Sequence, residues 1–191
     1  KGLVMVPGAE AEARVDALLA QQGCAARGFL HVHPTSRWLF KAWTDERNAE
    51  LLRLLVRDGH KVVVTGAPNS REQAIVKRIL ERAGVPVVDL SGQLTLREMA
   101  ALSARARLFV GVDSAPMHIA AAVGTPVVAL FGPSGEREWG PWRVAHRIVA
   151  SGDSCRPCGN DGCGGSKVSE CLTRLPVAQV HSAINELLAQ P

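Results

Sequence analysis

Leu108-Phe109-Val110-Gly111-Val112-Asp113-Ser114-Ala115-Pro116-Met117-His118-Ile119-Ala120-Ala121-Ala122 reads as a buried strand, a tight polar turn and a helix of small residues. Leu108 to Val112 is the kind of short apolar run that fills a parallel sheet. Ser114 is suited to cap the helix, and Pro116 to its first turn. Ala115, Ala120, Ala121 and Ala122 let the helix lie close to the sheet. Such a turn aims the N–H groups near Met117 and His118 past the end of the strand, an anion seat whose usual occupant is a phosphate. Asp113 is awkward beside an anion and is expected to accept hydrogen bonds from the turn's own backbone. The alternative is a well-capped structural helix in which His118 packs or caps.

Working outward, strands alternate with helices from Phe29 onward. Strands are predicted at Phe29–His33, Lys61–Thr65, Val85–Leu90, Leu108–Val112, Val127–Phe131 and Arg147–Val149. Helices are predicted at Asp45–Asp58, Arg71–Ala83, Thr95–Arg105, Met117–Val123 and Val177–Ala189, with Gly59 and Gly84 as stops. Before them, Glu10 to Gln22 reads as one helix, packed on the outside of the domain. Residues 1–27 form a linker helix region, and 28–191 the main domain. This rhythm implies right-handed βαβ units and an α/β fold with a doubly wound, Rossmann-like parallel sheet. Ligands on such sheets bind at the C-terminal ends of the strands.

The composition is that of an ordinary globular protein: 191 residues, 47% hydrophobic and 21% charged, with a formal net charge of +4. A pI near 9.0 favours an anionic ligand or contact with an acidic membrane surface. With no basic stripe, no tyrosine and no nucleic-acid-binding motif, nucleic acid is not an expected partner. No stretch reaches the apolar length of a membrane span, and the N-terminus lacks a signal-peptide pattern, so a cytoplasmic location is expected.

Three further loops at the same sheet edge carry unusual chemistry. In His33–Trp43, the side chains of Thr35, Ser36, Arg37 and Lys41 suit phosphate oxygens; otherwise this is a solvated loop stapled down by its tryptophans. Gly66–Glu72 links a Val-rich strand to a helix. There Gly66 allows close backbone approach, Ser70 is a candidate cap, and Glu72 can accept from ribose hydroxyls or simply favour the helix dipole. Gly132–Trp142 carries Ser134, placed to meet a ligand's phosphates unless the loop is plain surface. Neither G-x-G-x-x-G nor G-x-x-x-x-G-K-[ST] occurs. Four of the five cysteines, Cys155, Cys158, Cys163 and Cys171, crowd into one Gly-rich loop. Their spacing suggests a structural tetrahedral zinc site, with free thiols and a disulfide pair as alternatives.

Four ordered motifs resemble the C-terminal half of the ADP-heptose:lipopolysaccharide heptosyltransferases, glycosyltransferase family 9, and most of all the heptosyltransferase III branch. They are Phe29 to Arg37 with Lys41-Ala42-Trp43, then Thr65-Gly66-Ala67-Pro68, then Gly111 to His118, then Leu130 to Ser134; Ser169-Glu170-Cys171-Leu172 also fits that branch. The resemblance implies half of a GT-B architecture, binding the ADP-sugar donor or ADP. Lys41 would neutralise the diphosphate, Asp113, Ser114 and His118 would line the diphosphate and heptose end, and the Gly66–Glu72 turn would face adenosine. The family often carries its acidic residue slightly earlier in that turn, where Ser70 stands here. No cofactor is required for inverting transfer. The resemblance places the general base in an N-terminal, acceptor-binding half outside this sequence, so no catalytic residue is assigned here. The lipopolysaccharide core acceptor would be met through that half, and the 191-residue chain alone is expected to bind donor without turning it over. The competing readings are another GT-B nucleotide-sugar transferase and a non-catalytic nucleotide- or zinc-binding module.

Overall fold

A computed structural model describes residues 3–190. Helix α1 (Ala9–Gln21) leads into strand β1 (Phe29–His33), followed by α2 (Asp45–Arg57), β2 (Lys61–Val64), α3 (Ser70–Ala83), β3 (Val88–Asp89) and α4 (Leu96–Arg105). The second half runs β4 (Leu108–Val112), α5 (Ala115–Ala122), β5 (Val127–Phe131), α6 (Glu136–Trp139), β6 (His146–Ala150), α7 (Glu170–Thr173) and α8 (Val177–Leu188). All neighbouring strands pair in parallel, in the order β3-β2-β1-β4-β5-β6. This is the doubly wound order, in which the direction of winding reverses between β1 and β4.

Because both faces of the sheet are covered, the central strands β1, β4 and β5 are buried throughout rather than alternating. Leu30 and Val32 of β1 face a core built with α2, α3 and α8, including Leu52, Leu55, Ile79, Val180 and Ile184. Phe29 faces the other way, into a cluster with Val15 and Leu19 of α1 and Leu102 of α4. Phe109, Met117, Ala120 and Phe131 make a third cluster beneath α5. The helix expected on the outside of the domain therefore packs on α4, where Arg14 also pairs with Glu98 at 2.8 Å and Asp16 with Arg105. No helix among the described residues is long and apolar enough to cross a membrane.

The structure corrects several local expectations. The strand expected over Val85–Leu90 pairs only at Val88 and Asp89; Pro86 has no N–H to give to a ladder. The last strand is longer than predicted, since all five residues of β6 pair with β5. Asn69, not Ser70, caps α3, its side chain accepting from the Glu72 N–H. Ser114 stands at the start of α5 without a side-chain cap; its hydroxyl instead donates to the Val112 carbonyl at 3.2 Å. Gly84 ends α3 as foreseen, in the left-handed conformation with φ 61°.

Gly111 is in β4 for want of room. A Cβ there would sit 2.8 Å from the Phe109 ring and 3.1 Å from the His33 carbonyl oxygen of the adjacent strand. Gly111→Ala should destabilise the chain by about 1–3 kcal/mol. Gly152→Ala, where a Cβ meets nothing within 4 Å, should stay within about 0.5 kcal/mol of the parent. Urea unfolding of both variants checks this, and equal midpoints would refute it.

Candidate functional site

The winding reversal splays the loops after β1 and β4 apart, and a cavity of about 470 Å³ lies there. Its wall is supplied in sheet order by the loops after β3, β2, β1 and β4. Of the residues singled out in the sequence, Thr35, Ser36, Arg37, Lys41, Gly66, Glu72, Asp113, Ser114, Ala115 and His118 all line it. Met117 and Ser134 do not. Met117 is fully buried among Phe109 and Phe131, because its place in α5 faces the sheet. The loop bearing Ser134 turns toward the Cys-rich segment: the Pro133 carbonyl accepts from the N–H groups of Cys158 and Gly159, and the Gly132 carbonyl from Arg156. From that region only Trp139 reaches the cavity.

Lys41 ends a single 3-10 turn, Leu39–Lys41, and its ammonium reaches across to Asp113 with Nζ 2.6 Å from Oδ2. His118 Nε2 stands 4.0 Å from the other Asp113 oxygen. Burial holds the His118 imidazole below its ordinary value, against the upward pull of Asp113; Lys41 adds to the lowering. Asp113 thus receives a side-chain cation, not the turn's backbone as expected. The N–H groups of Met117 and His118 are not free for an anion either. Both point back to the Ser114 carbonyl, at 3.1 and 3.5 Å. Two tryptophans of the β1 loop divide the labour: Trp43 is buried and donates to the Leu175 carbonyl, while Trp38 lies exposed at the cavity under the Arg37 guanidinium.

Sequence reasoning missed two parts of the wall. Leu94, Leu96 and Met99 supply an apolar side from the β3–α4 loop and the first turns of α4. The available signal was the capping box Thr95-x-x-Glu98, which fixes where α4 begins. The second is a buried polar chain. His31 Nδ1 is 3.0 Å from Ser103 Oγ, and its Nε2 is 2.8 Å from Thr65 Oγ1. Thr65 Oγ1 is also 2.8 Å from His33 Nδ1. His33 Nε2 is 3.3 Å from Thr35 Oγ1, which donates to Glu72 Oε2 at 2.7 Å. Asn69 Nδ2 and the Ala67 N–H complete the Glu72 donors, at 3.0 and 3.4 Å. The signal was two histidines spaced i, i+2 in an apolar strand, hence on one face.

The expected zinc site does not assemble. Cys155, Cys158 and Cys163 are exposed free thiols, and Cys171 is a buried one. No group of three or more metal-ligating side chains is gathered among the described residues. Cys155, Cys158 and Cys163 sit exposed in the loop, while Cys171 belongs to α7, next to the core residue Leu172.

Burial pushes His31 down to about 3, with His33 adding to the effect. Burial likewise pushes His33 down, to about 4, against the upward pull of Glu72. Both therefore stay neutral in the folded chain where the unfolded chain, titrating near 6.5, takes up protons. Stability should fall as pH drops from about 6.5 toward 4, by up to about 1.4 kcal/mol per pH unit for each imidazole. His60 and His118, also lowered, add with the same sign. Urea midpoints at pH 7, 6 and 5 test this; a flat profile would contradict it.

The sequence model of glycosyltransferase family 9 (heptosyltransferase) matches residues 6–168. Over 163 residues the chain is 34% identical to lipopolysaccharide heptosyltransferase 3 of Escherichia coli, covering 85% of this chain and 47% of that protein. The glycosyl transferase family 9 structure from Veillonella parvula DSM 2008 superposes with TM-score 0.82 at 25% identity, over 98% of this chain and 54% of that one. E. coli heptosyltransferase WaaC, solved with ADP, shares the fold at TM-score 0.67 and 21% identity, over 92% of this chain and 49% of that one. The chain spans about half the length of the relatives it matches. By the extent of that family match, it belongs to glycosyltransferase family 9, the heptosyltransferases.

Proposed function

We propose that this chain is the donor-binding part of an inverting heptosyltransferase, holding ADP-heptose or ADP while heptose passes to a lipopolysaccharide core. The observation that carries this reading is the cavity at the ends of β1 and β4, with Lys41 and Asp113 meeting on one side and apolar Leu94, Leu96 and Met99 on the other. A nucleotide diphosphate has the same division, a charged bridge and a flat base. In this reading the Lys41 ammonium turns from Asp113 to the diphosphate, and the N–H groups of Ser114 and Ala115 at the start of α5 face it. Glu72 accepts from the ribose hydroxyls, and the base lies against the apolar wall. As the acceptor oxygen attacks the anomeric carbon and the bond to ADP breaks, Lys41 offsets the charge gathering on the leaving diphosphate.

Transfer also needs a base to take the acceptor's proton. Both carboxylates of the cavity keep partners: Glu72 has Thr35, Asn69 and Ala67, and Asp113 has Lys41 or, once Lys41 turns to the diphosphate, His118, 4.0 Å from its second oxygen. That supports a base contributed from outside these 191 residues, along with the acceptor site. The same reading puts the whole protein at the cytoplasmic side of the membrane that carries its acceptor.

Two outcomes test the proposal. Lys41→Ala should weaken ADP binding about 10- to 100-fold by calorimetry, the loss of one charge-assisted hydrogen bond; unchanged affinity would remove the assigned diphosphate seat. The 191-residue chain, given ADP-heptose and a heptose-deficient lipopolysaccharide, should release no ADP beyond the background rate. Sustained product formation would show that the base lies within this chain.

A further inference from the structure

Six buried side chains connect α4 to the cavity wall: Ser103, His31, Thr65, His33, Thr35 and Glu72. Counting their protons fixes the direction of every bond. Glu72, as a carboxylate, can only accept. Thr35 has a single hydroxyl proton and gives it to Glu72 Oε2. Its other contact, at His33 Nε2, must then be donated by the imidazole. A neutral imidazole has one N–H, so His33 Nδ1 is bare and accepts from the Thr65 hydroxyl. The Thr65 proton is thereby used, and His31 Nε2 must donate to Thr65. His31 Nδ1 is left bare and accepts from Ser103. All donors point one way, from the helix across β1 and into the cavity wall.

We propose that His31, Thr65 and His33 are positioning residues, a one-way hydrogen-bond relay that holds Glu72 through Thr35 as a fixed, acceptor-only carboxylate. The proposal rests on the reading of the cavity as a nucleotide-sugar site. Burial alone would raise the Glu72 carboxyl, but its donors Thr35, Asn69 and Ala67, helped by His33, bring it below the ordinary value. Two chemical consequences follow. A ligand group that meets Glu72 must bring a proton, so it is a hydroxyl or an amine and not a phosphate oxygen. His33, although it lines the cavity, has both ring nitrogens committed to the relay. It offers the ligand no lone pair and serves neither as base nor as phosphate donor.

Core histidines kept only for stability would share these tautomers but would not affect ligand affinity. Long-range 1H–15N NMR of the labelled 191-residue chain at pH 7 tests the direction of the relay. Both His31 and His33 should be Nε2–H tautomers, and an Nδ1–H tautomer at either one overturns the relay. ADP titration supplies the functional arm. Thr65→Val and Thr65→Ala, which remove the shared hydroxyl, should weaken ADP binding about tenfold, and Thr65→Ser should restore it to within twofold. A folded Thr65→Val or Thr65→Ala with parental ADP affinity overturns the positioning role. If neither variant folds, Thr35→Val, which cuts the relay at its last link to Glu72, takes their place in the titration, and parental ADP affinity there overturns the positioning role. Lys41→Ala keeps the two readings apart: loss of ADP there with none at Thr65 rejects the relay alone, whereas no ADP binding by the parent rejects the cavity's assignment.

Discussion

Parallel pairing of β1 with β4, with His33 beside Gly111, brings together two segments that supply most of the cavity's charge. Lys41 and Asp113 lie 72 residues apart in sequence and meet at 2.6 Å because their loops leave adjacent strands at the same edge. Every other part of the site is placed relative to that seam. The β2 loop adds Gly66 and Glu72 on one side, and the β3 loop adds an apolar wall beyond it. Gly111 keeps the seam tight, since any side chain there would push Phe109 or the β1 backbone away.

The seam is also where the fold carries unfavourable terms. Asp113 is almost fully buried, and Lys41 is about three-quarters so. Removing two such charges from water costs several kcal/mol unless each stays paired. An anionic ligand that draws Lys41 away must therefore leave Asp113 another partner, and His118, 4.0 Å from its second oxygen, is in place for that. The neutral histidines of β1 are a different case. Their desolvation is offset by a complete set of hydrogen bonds, and the cost becomes visible only on acidification.

The layer order and nearly all long elements were legible, because apolar runs such as Leu108–Val112 and Val127–Phe131 and helical periodicity in Asp45–Arg57 report burial directly. Strand β3 is shorter than its sequence suggests, because apolar composition around Pro86 does not say which residues find a partner. Loop chemistry picked out the cavity residues well wherever a side chain ends in charge, as with Lys41 and Asp113. It failed for Met117 and Ser134, whose orientation depends on packing: Met117 turns to the sheet, and the Ser134 loop is drawn toward Arg156. The polar chain through Thr65 joins elements 34 and 72 residues apart, and no local pattern encodes such a meeting. Cysteine spacing misled for a related reason. Glycines between the thiols permit a cage but do not impose one.

The two ends of the sheet differ in a way that bears on self-association. An edge strand offers unpaired backbone groups to any neighbouring chain. At one end β3 has only two residues and follows Pro86, so it is too short to template a second strand. At the other, β6 is five residues long, but it opens with exposed His146 and half-exposed Arg147, and Arg147 is tied to Glu186 of α8. A strand arriving there would have to displace that pair and dehydrate a guanidinium. Resistance to edge-to-edge stacking is thus built into the sheet's two margins, and a net charge of only +4 does not have to provide it.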